Sequence, residues 1–134
     1  MRRLRVIFLL LLVALAGCQD ERQRNAFCEN EGVRLMVGGS IAFNYEPNTC
    51  QLAFSRERRE FRAFTDTMSD FFVAELSQLP VNLGQRLTAN LVWTTEREVL
   101  TRKNLTLEVV RLEGDMVWLW SDAGRIGLTV RILE

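Results

Sequence analysis

From residue 33 onward, apolar and polar positions alternate in short bursts separated by turn residues. Val33-Arg34-Leu35-Met36-Val37 predicts a short strand ended by Gly38-Gly39. Ile41, Phe43 and Tyr45 then share one face and Ala42 and Asn44 the other, the period of two expected of a half-buried strand. In Glu46-Pro47-Asn48-Thr49, proline presets the first central torsion and asparagine suits the second, which predicts a turn. Cys50, Leu52 and Phe54 alternate on the strand expected to return from it. The cluster Arg56-Glu57-Arg58-Arg59-Glu60 mixes both signs and reads as a solvated hairpin tip, after which Phe61, Ala63 and Thr65 resume the alternation.

Asp66-Thr67-Met68-Ser69-Asp70 is a polar break. Phe71 through Leu76 is apolar except for Glu75, which suits a strand buried on both faces; a helix over residues 69–78 competes, because short apolar runs are ambiguous. Pro80 ends either element, and Val81-Asn82-Leu83-Gly84 is a connection. Leu87, Ala89, Leu91 and Trp93 alternate with Arg86, Thr88, Asn90, Val92 and Thr94. Residues 95–103 are polar apart from Val99 and Leu100 and predict a longer loop. Leu105, Leu107 and Val109 alternate next, and Glu113-Gly114-Asp115 turns the chain. Met116, Trp118 and Trp120 share one face, Val117 and Leu119 the other. After Asp122-Ala123-Gly124-Arg125, the residues Ile126, Leu128, Val130 and Ile132 form the last strand. Such short strands with such frequent turn signals predict one all-β domain over residues 33–134, an antiparallel β-sandwich or barrel-like body of about 7–9 strands.

The N-terminus follows a different pattern. Met1-Arg2-Arg3-Leu4-Arg5 is basic, and Val6 through Ala16 is an unbroken apolar run of 11 residues. A spanning helix needs about 20. A basic start, a short apolar core and small residues at its end describe a cleaved secretory signal peptide. Leu15-Ala16-Gly17-Cys18 resembles the lipobox of bacterial lipoproteins. That resemblance implies removal of residues 1–17, lipid on the Cys18 sulfur, acylation of the new amine with a palmitate-type chain, and residence at the outer membrane. Each buried CH₂ contributes about 0.8 kcal/mol, and stable anchoring takes more than one chain. Residues 18–32 are then expected to be a lipidated tether that joins the domain near Phe27. Gln19-Asp20-Glu21 resembles the acidic export tag that follows the cysteine in surface lipoproteins of some Gram-negative gut anaerobes, which implies an outward-facing domain. A plain solvated tether on the periplasmic face is the alternative.

Removing the leader from the 134 residues leaves 117, enough for a single core. Three arginines leave with it, so 14 cations face 17 anions in the mature part. A slightly acidic chain carries no electrostatic footprint for nucleic acid or anionic lipid. No second long apolar run follows, so the membrane contact expected is the lipid alone. With Cys18 assigned to the lipid, Cys28 and Cys50 remain as an even pair in an exported chain, where a disulfide is expected. Such a bridge contributes about 3 kcal/mol in the chain-entropy account. Two free thiols are the alternative in anaerobic surroundings.

The chain contains no histidine, which removes the usual general base and the commonest metal ligand. It also lacks a glycine-rich phosphate loop, a Cys-x-x-Cys pair and an acidic calcium loop, so no cofactor or metal is expected. Paired carboxylates suffice for glycosidases. Asp66, Asp70 and Glu75 are close in sequence, but such residues are common on any surface. The chain is therefore read as noncatalytic. Trp93, Trp118 and Trp120, with Tyr45, Phe71 and Phe72, are candidates for a platform that stacks sugar rings. Against that, Trp118 and Trp120 lie at strand spacing with Met116, and Trp93 with Leu87 and Leu91, which is the pattern of core. Asp66-Thr67-Met68 resembles the short O-glycosylation acceptor of exported gut-anaerobe proteins, with a plain loop as the default.

The lipobox leader, the small β domain, Asp70-Phe71-Phe72-Val73, Leu79-Pro80 and Trp118-Leu119-Trp120 together resemble small bacterial lipoproteins of the gut-anaerobe envelope. The resemblance implies no activity and no functional residue beyond Cys18. The expected function is a noncatalytic, lipid-anchored interaction or structural module of the cell envelope, its partner an envelope protein or a glycan. A carbohydrate-binding module using exposed tryptophans, or a periplasmic inhibitor or assembly factor, is the alternative.

Overall fold

The structure, a computed structural model, describes residues 21–133. The expected signal peptide, the lipobox-like stretch with Cys18, and Gln19-Asp20 of the expected acidic tag lie outside the described residues. Residues 21–28 are helical. Nine strands follow: β1 Arg34–Val37, β2 Ser40–Asn44, β3 Cys50–Ser55, β4 Glu60–Thr65, β5 Phe71–Leu76, β6 Arg86–Thr94, β7 Val99–Glu113, β8 Met116–Ser121 and β9 Ile126–Arg131. The domain is all-β and barrel-like, as its alternation predicts.

All nine strands belong to one sheet, in the order β2-β1-β9-β8-β7-β6-β5-β4-β3. Every neighbouring pair is antiparallel. From β3 to β9 the chain is a simple meander. β1 adds beside β9 and turns into β2 through Gly38-Gly39, whose φ values of 62° and 83° suit a tight hairpin that other residues enter only with strain. β2 and β3, consecutive in the chain, therefore end on opposite edges of the sheet. Flat, the eight inter-strand spacings would hold those edges about 38 Å apart. The connection over residues 45–49 reaches at most about 22 Å. The sheet must curl, and it does so into a half-barrel whose interior aromatic groups meet across the opening. Phe43 of β2 lies edge-on to Phe72 of β5, with ring centroids 5.4 Å apart.

Inside the curl the period of two holds strand by strand. Leu87, Ala89, Leu91 and Trp93 of β6, Phe72, Ala74 and Leu76 of β5, Val117 and Leu119 of β8, and Ile126, Leu128 and Val130 of β9 are buried in one continuous core. Four expectations change. The turn at residues 46–49 forms, with Cys50 N–H donating to Glu46 O at 2.8 Å, but β3 does not return along β2. β5 is a strand with one buried face; Phe71 and Val73 on the other are half-exposed and Glu75 is exposed. Residues 99–103 are not loop but the start of the 15-residue β7. A bulge hides them from simple alternation. Ala89 faces Leu105 and Leu91 faces Arg102, so one extra residue is accommodated near Asn104, which adopts φ 54° and donates its N–H to the Asn90 side-chain Oδ1 at 3.0 Å. The fourth change concerns residues 18–32, of which the described part is no loose tether but a helix and turn seated on the sheet.

The outer face of β8, β9 and β1 carries a second, smaller cluster. Phe27, Trp118 and Trp120 are buried together, with Met36, Val110 and Met116 packed against them. An eight-residue helix has too few turns to stand alone in water, so its stability comes from this docking. Phe27 and Trp120 lie 5.7 Å apart, and Phe27 sits directly over Gly127. A Cβ at that glycine would be 2.8 Å from the ring. Polar ties surround the aromatic contact: Trp118 Nε1 donates to Asn30 O at 2.8 Å, Arg111 Nη1 to Cys28 O at 2.7 Å, and Arg24 pairs with Glu108 at 2.9 Å.

Gly127→Ala is expected to push Phe27 out of register and destabilise the domain by about 1–3 kcal/mol, the usual cost of an overpacked contact. Urea unfolding measures it. In a Phe27→Leu background the same substitution should cost much less, since the ring it strikes is gone.

Candidate functional site

Alternation of strand direction sorts the loops to two ends of the half-barrel. One end gathers residues 56–59, residues 77–85, Gly114-Asp115 and the C-terminal residues. A groove of about 670 Å³ opens there, lined by Arg56, Pro80, Val81, Leu112, Asp115 and Ile132 among others. Its lining is apolar and wet: Val81 is 63% exposed and Leu112 38%, and Leu83 in the same loop as Val81 is exposed as well. Gln85 holds the rim loop in shape, its side-chain oxygen accepting from Val81 N–H at 2.8 Å and Asn82 N–H at 3.1 Å, its amide donating to Leu79 O at 3.0 Å. Two charges border the groove. Asp115 is paired with Arg131 at 2.8 Å, whereas Arg56 forms no ion pair among the described residues. An apolar groove with one available cation is equipped to bind, and its lining includes no nucleophile–base pair.

The tryptophans lie elsewhere. Trp93 is 7% exposed within the inner core, and Trp118 and Trp120 are 1% and 2% exposed beneath residues 21–32 on the outer face. They are divided between the two faces of the sheet and form no common exposed platform. Both outer indole N–H groups are satisfied, Trp118 by Asn30 O and Trp120 by the Asp122 carboxylate at 2.9 Å. The Arg111 guanidinium stacks 4.1 Å from the Trp118 ring centroid. The hydrogen bonds it donates to the Glu113 and Glu31 carboxylates hold its proton more firmly than usual. Trp118 and Trp120 are thus occupied in fastening the N-terminal segment, and Trp93 in filling the inner core.

The expected Cys28–Cys50 disulfide does not form; both thiols are free. Cys28 ends the outer helix, while Cys50 is buried at the start of β3 among inner-core residues. The sheet itself separates them. Burial pushes the Cys28 thiol above its ordinary pKa, with Arg24 and Arg111 pulling the other way. Asp66 and Asp70 lie in the exposed β4–β5 turn, Asp66 accepting a bond from Gln51 at 3.0 Å. Glu75 projects from β5 into solvent, opposite Glu60 of β4. No group of three or more metal-ligating side chains occurs among the described residues. Sequence reading treated residues 81–84 as a mere connection. Nothing in their pattern distinguishes an exposed apolar rim from a buried loop.

No protein-family model, curated protein or solved structure matches the chain.

Two measurements test this placement. Acrylamide should quench tryptophan emission weakly in the native protein, and Phe27→Ala should raise the quenching and red-shift the emission while destabilising the domain by about 3–5 kcal/mol. Under native conditions an aromatic disulfide reagent should modify Cys28 slowly, its rate still climbing with pH beyond the range of a free thiol. Cys50 should react only on unfolding.

Proposed function

We propose that this protein is a noncatalytic interaction module of the bacterial envelope, held at the outer membrane by lipid on Cys18. The reading rests on the apolar, solvent-exposed groove at the end of the half-barrel, lined by Val81, Leu112 and Arg56 among others. Contiguous apolar surface of this kind marks a binding site more often than a solvated loop does. The partner in this reading is an envelope protein that presents apolar side chains next to a carboxylate.

The anchor supports the same reading. Two residues separate Cys18 from the helix at residue 21, a span of at most about 10 Å. With the helix fixed on β8 and β9, a lipidated Cys18 leaves the domain little slack, and its partners are those that reach the membrane surface. The acidic Gln19-Asp20-Glu21 favours the outer leaflet's external side.

Cys18→Ser should move the protein from the membrane fraction to the soluble fraction, and mass spectrometry of the wild type should find residue 18 acylated. Partners captured from detergent-solubilised envelopes by the lipidated protein should fall at least tenfold with Val81→Lys, whose side chain lines the groove and is exposed, so that the fold should be intact. Equal capture by wild type and variant would overturn the groove as the contact.

A further inference from the structure

We infer that the end of the half-barrel opposite the groove is a membrane-contacting surface, where Ile41, Met68 and Val99 enter the interfacial zone of the bilayer that holds the Cys18 lipid. The inference deepens, and rests on, the reading of Cys18 as a lipid anchor.

Strand direction carries the first half of the argument. Six large apolar side chains are exposed among the described residues, and the topology divides them into two sets. Val81, Leu83 and Leu112 lie at the groove end. Ile41 follows the β1–β2 turn, Met68 occupies the β4–β5 turn, and Val99 opens β7 after the β6–β7 turn. In the antiparallel order β1, β4, β6 and β8 all run the same way, so the turns that end them stand together at the opposite end. Ile41, Met68 and Val99 are each more than half exposed, and none belongs to the inner or the outer core cluster.

The N-terminal segment enters at this same end. Gln23, in the first turn of the helix, packs on Gly39 of the β1–β2 turn, where a Cβ would lie 2.6 Å from its Nε2. Its Oε1 accepts from Arg125 Nη1, in the β8–β9 turn, at 3.4 Å. The far end of the segment, at Cys28 and Glu31, is bonded to Arg111 near the groove-side end of β7. Residue 21 therefore stands beside the turns that carry the three apolar side chains, and residue 18 lies at most about 10 Å from it. A lipid on Cys18 brings this end, and not the groove, against the bilayer.

The chemistry of the surface agrees with a lipid occupant. Surface binding grows with the apolar area placed in the interface, plus any attraction to anionic headgroups. Attraction is absent here: Asp66, Asp70, Glu96, Glu98 and Asp122 outnumber Arg97 and Arg125 in these turns. The contact is thus apolar and shallow. It is made by single side chains on three separate hairpins, which a fluid interface accommodates without a matched surface. It adds to the anchor and fixes the tilt of the domain, with the groove turned away from the bilayer.

The test uses the full chain, processed in its host and reconstituted into phosphatidylcholine vesicles that carry a nitroxide-labelled lipid. A thiol-reactive fluorophore is placed through Glu96→Cys at the anchor end or through Asn82→Cys at the groove end, both exposed positions. Cys28 is half-buried and Cys50 buried, so the new thiol takes the label. Nitroxide quenching should be at least threefold stronger at position 96 than at position 82. Ile41→Thr, Met68→Ser and Val99→Thr together should abolish that excess, while the lipid keeps the protein on the vesicles and urea unfolding shows the fold intact. Equal quenching at both positions of the otherwise unaltered chain overturns the inference. So does an excess at position 96 that survives the three substitutions. A Cys18→Ser chain that forms a dimer dissolved by the same substitutions also overturns it, because a second copy then covers these side chains. Mass spectrometry of residue 18 separates the two readings. An unacylated Cys18 removes the anchor and this inference together, whereas an acylated Cys18 without the quenching pattern removes this inference alone.

Discussion

Everything in this molecule's shape depends on a mismatch between a short connection and a wide sheet. Residues 45–49 must join the first and last strands of a nine-stranded sheet. The reach of five residues is about half the width of that sheet laid flat. Curling resolves the mismatch, and curling creates an inside. Phe43, Phe61 and Phe72 fill that inside from three different strands, their rings meeting at 5.4 and 5.7 Å. The short connection forces the curl, while the odd strand count leaves β2 and β3 running in the same sense, so a fully buried core coexists with two edges that do not pair with each other.

β8 shows what a curled single sheet requires of its members. Val117 and Leu119 point into the half-barrel, while Trp118 and Trp120 point away from it. A strand apolar on both sides needs cover on both sides. The outer cover comes from residues 21–32, and their docking depends on one residue having no side chain. Gly127 lets the Phe27 ring approach the sheet more closely than any Cβ would allow. Aromatic burial and satisfied indole N–H groups then hold a helix that could not persist alone. The N-terminal segment from residue 21 is thus part of the fold.

Much of this was legible in the sequence, and the exceptions have physical causes. Strands with one buried face and unbroken ladders, such as β6 with Leu87, Ala89, Leu91 and Trp93, read directly from their alternation. β7 did not, because the bulge near Asn104 lets Leu100 and Leu105, five residues apart on one strand, both face inward. The partner of a strand is a long-range property. Alternation around Pro47 announces a turn but not that the next strand lies across the barrel. Cys28 and Cys50 form an even pair by count, and only the sheet between them prevents a bond. The tryptophan stripe correctly signalled core, but not that its core would lie outside the barrel. The groove was invisible for the opposite reason: Val81 and Leu83 are apolar residues in a loop, and their exposure is decided by elements distant in sequence.

Charge is distributed unevenly over the sheet. Interior strands carry it on their outer face: Glu60 and Arg62 on β4, Glu75 on β5, Lys103 and Glu108 on β7. Such residues cost little in the middle of a sheet, where every backbone group already has a partner. They are most useful at an edge, where they discourage unwanted pairing. The two edge strands, Ser40–Asn44 and Cys50–Ser55, carry none. Geometry stands there in place of charge: a bulge at Ala42 interrupts β2, and the turn closed by Cys50 N–H on Glu46 O joins the two edges directly.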